Sequence, residues 1–360
     1  MKILVISLAG IGDTLLATPL LRALREQRPD AVIDVLARWA GSRDLLAGNP
    51  NVNAFHQKNF IKGGALSNLK FLSSLRRQHY DVSINTHPQG KIVYRIIARL
   101  IGARLRLSHR YENYSLWDRL LIKSSIDQDY TIHCADNNLR LLPLMGLTEP
   151  RGPLDIELYF SPDEEQWASQ FIRSHQLGSR ICLGVHVGSG KTKNLVLKRW
   201  PIEHYISLIK SLFERYPEVT LLLFGGPDEK EDNEHILSAV QRPGLIPVKS
   251  ETMKQAAALL KHCKIFVSVD NVFMHLAAAV KVPEQIVIES PTFNKTIEPY
   301  RRPFRLVPNP MVAGRSMDYY RYDGRDIQGG TEHLLACMRS ITPEAVLQVV
   351  SAAMLKLGGA

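Results

Sequence analysis

The sequence predicts an α/β protein built on parallel sheets and divided into two domains. Short apolar, β-branched runs alternate with helix-like segments along the whole chain, which is the order of strand–helix–strand units. At 360 residues with 45% hydrophobic content, the chain is long enough for two separate cores. Between residues 147 and 165 the series is interrupted by Pro150, Gly152, Pro153 and Pro162, as in a linker, and a fresh series then begins. The expected division is 1–165, 166–342, and a C-terminal helix over 343–360.

The first unit opens with Ile3 to Leu8, an unbroken apolar run suited to a strand buried on both faces. Gly10 and Gly12 make a turn, and Leu16, Leu20, Ala23 and Leu24 follow at helical spacing. Pro19 is tolerated only near a helix start, so a bend is expected there. Asp13 stands at the seam and reads either as the helix N-cap or as a reactive carboxylate. Three residues after Gly12 stands Leu15, so the dinucleotide fingerprint is excluded. "VIDVLA" (32–37) and "DVSINT" (81–86) read as further strands of this unit.

The second series runs through "RICLGVHVG" (180–188), "VTLLLFGG" (219–226), "LIPVK" (245–249), "KIFVSVD" (264–270) and "EQIVIES" (284–290). Several strand ends are followed by turns with chemistry-bearing residues, where open α/β sheets bind ligands. After the first comes a polar loop with Ser189, Lys191, Lys193 and Lys198. Its GKT triplet is not a phosphate-binding P-loop, because Val185 stands where the first glycine is required. Glu229 follows Gly225 and Gly226, placed to accept from ribose hydroxyls or to cap a helix. Asp270 ends a strand, Asn271 and Val272 open a helix suited to a diphosphate, and His275 lies one turn in, a place where histidines also serve structure. Residues 309–330 lack periodicity and read as a functional loop.

The net charge of +10 is concentrated: between Lys58 and Lys123 there are 13 Lys and Arg against three acids. Within that window Lys91, Arg95 and Arg99 recur at intervals of four, with Ile92, Ile96 and Leu100 adjoining. The pattern predicts a basic amphipathic helix facing either solvent or an anionic partner, such as a membrane surface or an acidic acceptor. Nucleic acid is not expected, since no recognised binding module is present. No apolar run reaches the ~18 residues a spanning helix needs, and the N-terminal run reads as a strand, not a secretion signal. Four scattered cysteines, Cys134, Cys182, Cys263 and Cys337, argue for reduced thiols and against a zinc site. The "DQD" at 127–129 has the form of a metal-binding triplet but no neighbouring ligands in sequence.

Taken in order, "ISLAGIGDTLLATPLLRALR", "HCADNNLRLLPLMGL" (133–147), "KRWPIEHYISLI" (198–209), "LLLFGGPDE" (221–229), "SVDNVFMHLAAAVKVP" (268–283), "SPT" (290–292) and "CMRSITPEAVLQVV" (337–350) resemble glycosyltransferase family 9, the lipopolysaccharide heptosyltransferase family. The resemblance implies a GT-B architecture, two Rossmann-like domains facing across a cleft. It implies metal-independent, inverting transfer from a nucleotide sugar, typically ADP-heptose, with no other cofactor. The acceptor would be an anionic glycolipid of the lipopolysaccharide core, met at the cytoplasmic face of the inner membrane. Asp13 then matches the catalytic base and Lys198 the cation at the leaving diphosphate. Ser189, Glu229, Asp270, Asn271, Val272 and His275 fall to donor binding, and Gly12, Lys91, Arg95 and Arg99 to acceptor binding. Where the family usually reads Asp-Thr-Gly-Pro or Asp-Ser-Gly-Pro, this chain has Asp270, Asn271, Val272 and Phe273, and where it reads Phe-Gly-Pro-Thr, the chain has Glu289, Ser290, Pro291 and Thr292. These departures keep two alternatives open: another nucleotide sugar as donor, or nucleotide binding without catalysis.

Overall fold

The computed structural model describes residues 1–178, 180–190 and 194–358. The chain forms two units, Met1–Tyr159 with Arg321–Arg325, and Phe160–Tyr320 with Asp326–Ala360.

The first unit contains strands β1 (Lys2–Ser7), β2 (Val32–Ala37), β3 (Ala54–Gln57), β4 (Val82–Asn85), β5 (Leu105–Arg110) and β6 (Ser124–Asp127). Its helices are α1 (Ile11–Leu15), α2 (Thr18–Gln27), α3 (Ala40–Leu46), α4 (Ala65–Arg76), α5 (Ile92–Ile101), α6 (Asp118–Leu121) and α7 (Cys134–Leu139). All strand pairs are parallel, in the order β3-β2-β1-β4-β5-β6. Because successive strand residues point to opposite faces, β1 feeds two cores. Ile3 and Val5 pack with Leu20, Leu24 and Ile33 on one side, while Leu4 and Ile6 pack with Leu75, Ile97 and Ile101 on the other. The bend expected at Pro19 is a break between α1 and α2, with the proline in the first turn of α2.

The second unit contains α8 (Pro162–Ser174), α9 (Ile202–Arg215), α10 (Lys230–Val240), α11 (Met253–Leu260), α12 (Val272–Ala279), α13 (Ser316–Tyr319), α14 (Thr331–Arg339) and α15 (Pro343–Gly358). Its strands are β7 (Cys182–His186), β8 (Thr220–Phe224), β9 (Leu245–Pro247), β10 (Cys263–Ser268), β11 (Glu284–Ile288) and β12 (Phe304–Val307). Their order, β12-β11-β10-β7-β8-β9, repeats the first sheet's topology and is again wholly parallel. Each sheet therefore reverses strand order once, between β1 and β4 and between β7 and β10, and loops at such a point part to leave a ligand crevice.

The boundary falls earlier than residue 165, because α8 belongs wholly to the second unit. Ser161 and Glu164 form its capping box, and Glu164 pairs with Lys254 of α11 at 3.1 Å. Helix α15 packs on α9, β11 and β12, so it too is part of that unit. The loop at 309–330 is divided: its segment Arg321–Arg325 joins the first unit, where Arg321 and Arg325 both pair with Glu112.

Candidate active site

In the first unit Asp13 lies at the strand-reversal point, one turn beyond β1. Gly10 is the N-cap of α1 and Asp13 the third helical residue, whose carboxylate accepts from the Gly10 N–H at 2.6 Å. Asp13 therefore caps from inside the helix instead of at the N-cap position, and its half-buried carboxylate sits beside the positive end of α1. Its negative charge helps raise the Tyr94 and Tyr111 hydroxyls and the Cys134 thiol, for each of which burial is the larger cause. Gly12 lies within α1 beside it.

Behind this turn is a buried polar group the sequence did not single out. His87 and Gln89 follow β4, and His109 and Tyr111 lie at the end of β5. The Gln89 backbone N–H donates to the Tyr111 hydroxyl at 2.9 Å, and His87 Nδ1 is 3.1 Å from the same oxygen. Burial pushes His109 down to about 4, against its bond to the Asn137 carbonyl, and holds His87 well below its ordinary value. Only the strand-end position of these residues could have flagged them.

Helix α5 corrects the expected basic face. Arg95 is 1% exposed, on the core side, where its guanidinium pairs with the buried Asp118 of α6. Lys91 is the exposed N-cap and Arg99 is exposed in the last turn, while Ile92, Val93, Ile96 and Leu100 face solvent. The helix ends at Gly102 in the left-handed conformation, so Arg104 and Arg106 lie outside it.

In the second unit the strand-reversal point gathers the larger constellation. Lys198, at the end of a short 3₁₀ helix (Leu195–Lys198), reaches Asp270 Oδ2 at 2.6 Å and Thr292 Oγ at 3.2 Å. Thr292 also donates to Asp270 Oδ2 at 2.7 Å, and Ser290 donates to Oδ1. Three loops, after β7, β10 and β11, are thus joined by one buried cation–carboxylate–hydroxyl network.

Asn271 is the N-cap of α12: its side-chain oxygen accepts from the Phe273 and Met274 N–H groups at 2.8 and 3.2 Å. Its amide donates to the Gly188 carbonyl at 3.0 Å and lies 3.2 Å from His186 Nδ1, tying the β10 loop to the β7 loop. His186 stacks on Phe273 with ring centroids 4.2 Å apart, and burial, aided by Arg199, holds it down at about 3. His275 is buried and held at about 4, burial outweighing the opposing pull of Asp270. Val272, which takes the glycine's place, is the first residue of α12 and half-buried.

Glu229 is buried and bonds both ways: Oε2 accepts from the Gly226 N–H at 3.0 Å and Oε1 from Arg199 at 3.2 Å. Arg199 also donates to the Ser189 carbonyl at 3.1 Å and pairs with Asp232 at 3.0 Å. Ser189 donates to the Leu195 carbonyl at 2.9 Å. A Cβ on Gly188 would lie 2.2 Å from Glu229 Oε1, so only glycine lets that carboxylate lie against the β7 loop. Glu289 turns away to hold the Asn309 N–H at 2.6 Å, and so is structural. Lys191 and Lys193 lie outside the described residues. Asp127 pairs with Arg110 at 2.6 Å and Asp129 binds its neighbour Thr131, so the triplet at 127–129 is occupied by local bonds. Among the described residues no group of three or more His, Cys, Asp or Glu is placed to hold a metal ion.

Two wholly parallel units of this strand order, each with polar groups at its reversal point, are the architecture of the GT-B fold. The family model of glycosyltransferase family 9 (heptosyltransferase) matches residues 68–311, and the chain belongs to that family. It is 28% identical over 373 residues to lipopolysaccharide heptosyltransferase 2 of Escherichia coli K12, covering 99% of each chain. To lipopolysaccharide heptosyltransferase 3 of the same strain it is 25% identical over 279 residues, 76% of this chain and 78% of that one. Among solved structures, E. coli ADP-heptose heptosyltransferase II superposes with a TM-score of 0.72 at 24% identity, covering 99% of this chain and all of that one. A family 9 glycosyltransferase from Veillonella parvula gives 0.73 at 20% identity, covering 99% and 97%.

Proposed function

We propose that this glycosyltransferase moves heptose from ADP-heptose, with inversion and without a metal, onto a lipopolysaccharide-core or lipid-linked glycan at the cytoplasmic face of the inner membrane. The reading is supported by relatives named as lipopolysaccharide heptosyltransferases along the full length of the chain and by a structural neighbour described with bound ADP. The observation that carries it is the Lys198–Asp270–Thr292 network at the reversal point of the second sheet, beside the N-terminus of α12.

In this reading the acceptor oxygen attacks the anomeric carbon opposite the diphosphate. Asp13 takes the hydroxyl proton as the new C–O bond forms. The old C–O bond breaks toward ADP, whose growing charge Lys198 and the α12 terminus offset. Glu229 holds the ribose; Ser189, Asn271, Val272 and His275 line the donor seat; and Gly12, Lys91 and Arg99 face the acceptor. Arg95 acts through the position of α5. The test is a binding titration with ADP, GDP and UDP, followed by transfer from ADP-heptose. Preference for ADP and turnover support the reading, and binding of none refutes it.

A second reading, nucleotide binding without catalysis, is favoured by Asn271. Its carboxamide already occupies N–H groups of α12 that a diphosphate would otherwise take. Nucleotide binding in the same titration without transfer would select it.

A further inference from the structure

Helix α5 is apolar on both faces: it buries Ile97, Ala98 and Ile101 together with the paired Arg95, and exposes Ile92, Val93, Ile96 and Leu100 on the other side. These four side chains remain 39–45% exposed, so part of the free energy that burial would return is unrealised until something covers the row. The neighbouring elements extend the row. Helix α4 packs on α5 and presents Leu66 and Leu69; α6 also packs on α5, and in and just before it Leu116, Trp117 and Leu120 are 75%, 70% and 66% exposed. An apolar face continued over three adjacent elements marks an interaction surface, not scattered surface residues.

The charges around it say what covers it. Lys62, Lys70, Arg76, Arg99, Arg119 and Lys123 are all exposed on these elements and their flanks. Residues 58–80 and 91–111 contain no acid, and Asp118 is spent on Arg95 inside. A second copy of the chain would bring the same cations together. An apolar centre with a cationic border and a projecting tryptophan suits the boundary between anionic headgroups and acyl chains.

We propose that the α4–α5–α6 face of the first unit lies on the surface of an anionic lipid bilayer, with its aliphatic side chains and Trp117 at acyl-chain depth and its lysines and arginines at the headgroups. The proposal deepens the reading of the acceptor as lipid-anchored, and names the face that meets the lipid.

The full chain is mixed with vesicles of phosphatidylcholine alone or with phosphatidylglycerol, and bound protein is separated by sedimentation. Wild type partitions to the phosphatidylglycerol vesicles with a blue shift of tryptophan emission. Trp117→Ser with Leu120→Ser weakens the partition by about tenfold or more, and Lys62→Glu with Lys70→Glu removes the preference for anionic lipid. These side chains are exposed, and unchanged ADP binding and unchanged transfer to a deacylated acceptor show that the variants fold. Wild type left in the supernatant with both vesicles overturns the proposal. A wild-type dimer that the apolar variants dissociate overturns it in favour of a second copy. Vesicle binding without transfer leaves this surface standing and defeats the heptosyltransferase reading.

Discussion

Lys198 and Asp270 form an ion pair of 2.6 Å, both side chains under a tenth exposed, between loops 72 residues apart in sequence. The pair sits where the second sheet reverses strand order, so it holds the fold together there and, in the proposed reading, the donor seat as well. Removing one partner strands a buried charge, whereas removing both does not. Lys198→Ala is therefore expected to lower urea stability by about 3–5 kcal/mol, and Lys198→Met with Asp270→Asn to recover most of it, with transfer lost in both. Equilibrium unfolding beside a transfer assay checks this; full stability in Lys198→Ala alone would contradict it.

Asp13 has an observed capping contact and, in the proposed reading, a proton-transfer role, and substitution can part the two. Asp13→Asn retains an oxygen to accept from the Gly10 N–H but cannot take a proton. Stability is expected to stay near wild type in Asn and to fall by about 0.5–2 kcal/mol in Ala. Transfer falls by about 100-fold or more in both, with ADP affinity unchanged. Wild-type turnover in either variant removes Asp13 from the chemistry.

The buried histidines set an acid limit. His186 at about 3, and His109 and His275 at about 4, all lie below the ordinary 6.5 because burial disfavours the cation. Below pH 6.5 the unfolded chain binds protons that the native one refuses, so their contribution, full above 6.5, is lost as pH falls toward 4, and toward 3 for His186. The unfolding free energy from urea titration is expected to drop across that window, by on the order of 1 kcal/mol per pH unit for each histidine. His275→Gln should flatten the slope; an unchanged slope would show that His275 does not titrate this way.

On α5 the three basic residues separate. Arg95→Ala leaves Asp118 buried without its counter-charge and is expected to cost about 3–5 kcal/mol in urea unfolding. Lys91→Glu with Arg99→Glu, both exposed, should leave stability and ADP binding alone and raise the KM for an anionic acceptor. An unchanged KM would place both side chains outside acceptor binding.

Much of the frame was legible because its signals are local. Apolar runs such as Ile3–Leu8 and Leu221–Phe224 are short and bounded by turn residues, as strands buried on both faces are, and Gly10, Pro19 and Pro201 punctuate helix starts. Strands β3, β5, β6 and β12 carry no such signal: "AFHQ", "SSID" and "FRLV" are four-residue edge strands, each interrupted by polar or charged residues, and "LRLSHR" owes its place to the neighbours on either side.

The sequence by itself determined the α/β class, the turns after β1, β7 and β10, and the family, since each is written in a contiguous stretch or in the order of stretches. Tertiary structure alone decided the partners. Periodicity shows that α5 has two faces but not which one is buried; Asp118, 23 residues away, decides that by supplying the charge Arg95 needs inside. Likewise Asp270 acquires Lys198, Ser290 and Thr292 only because parallel strands bring the ends of β7, β10 and β11 side by side. A buried charge is tolerable only with its counter-charge in contact, and contact between distant residues is a property of the fold.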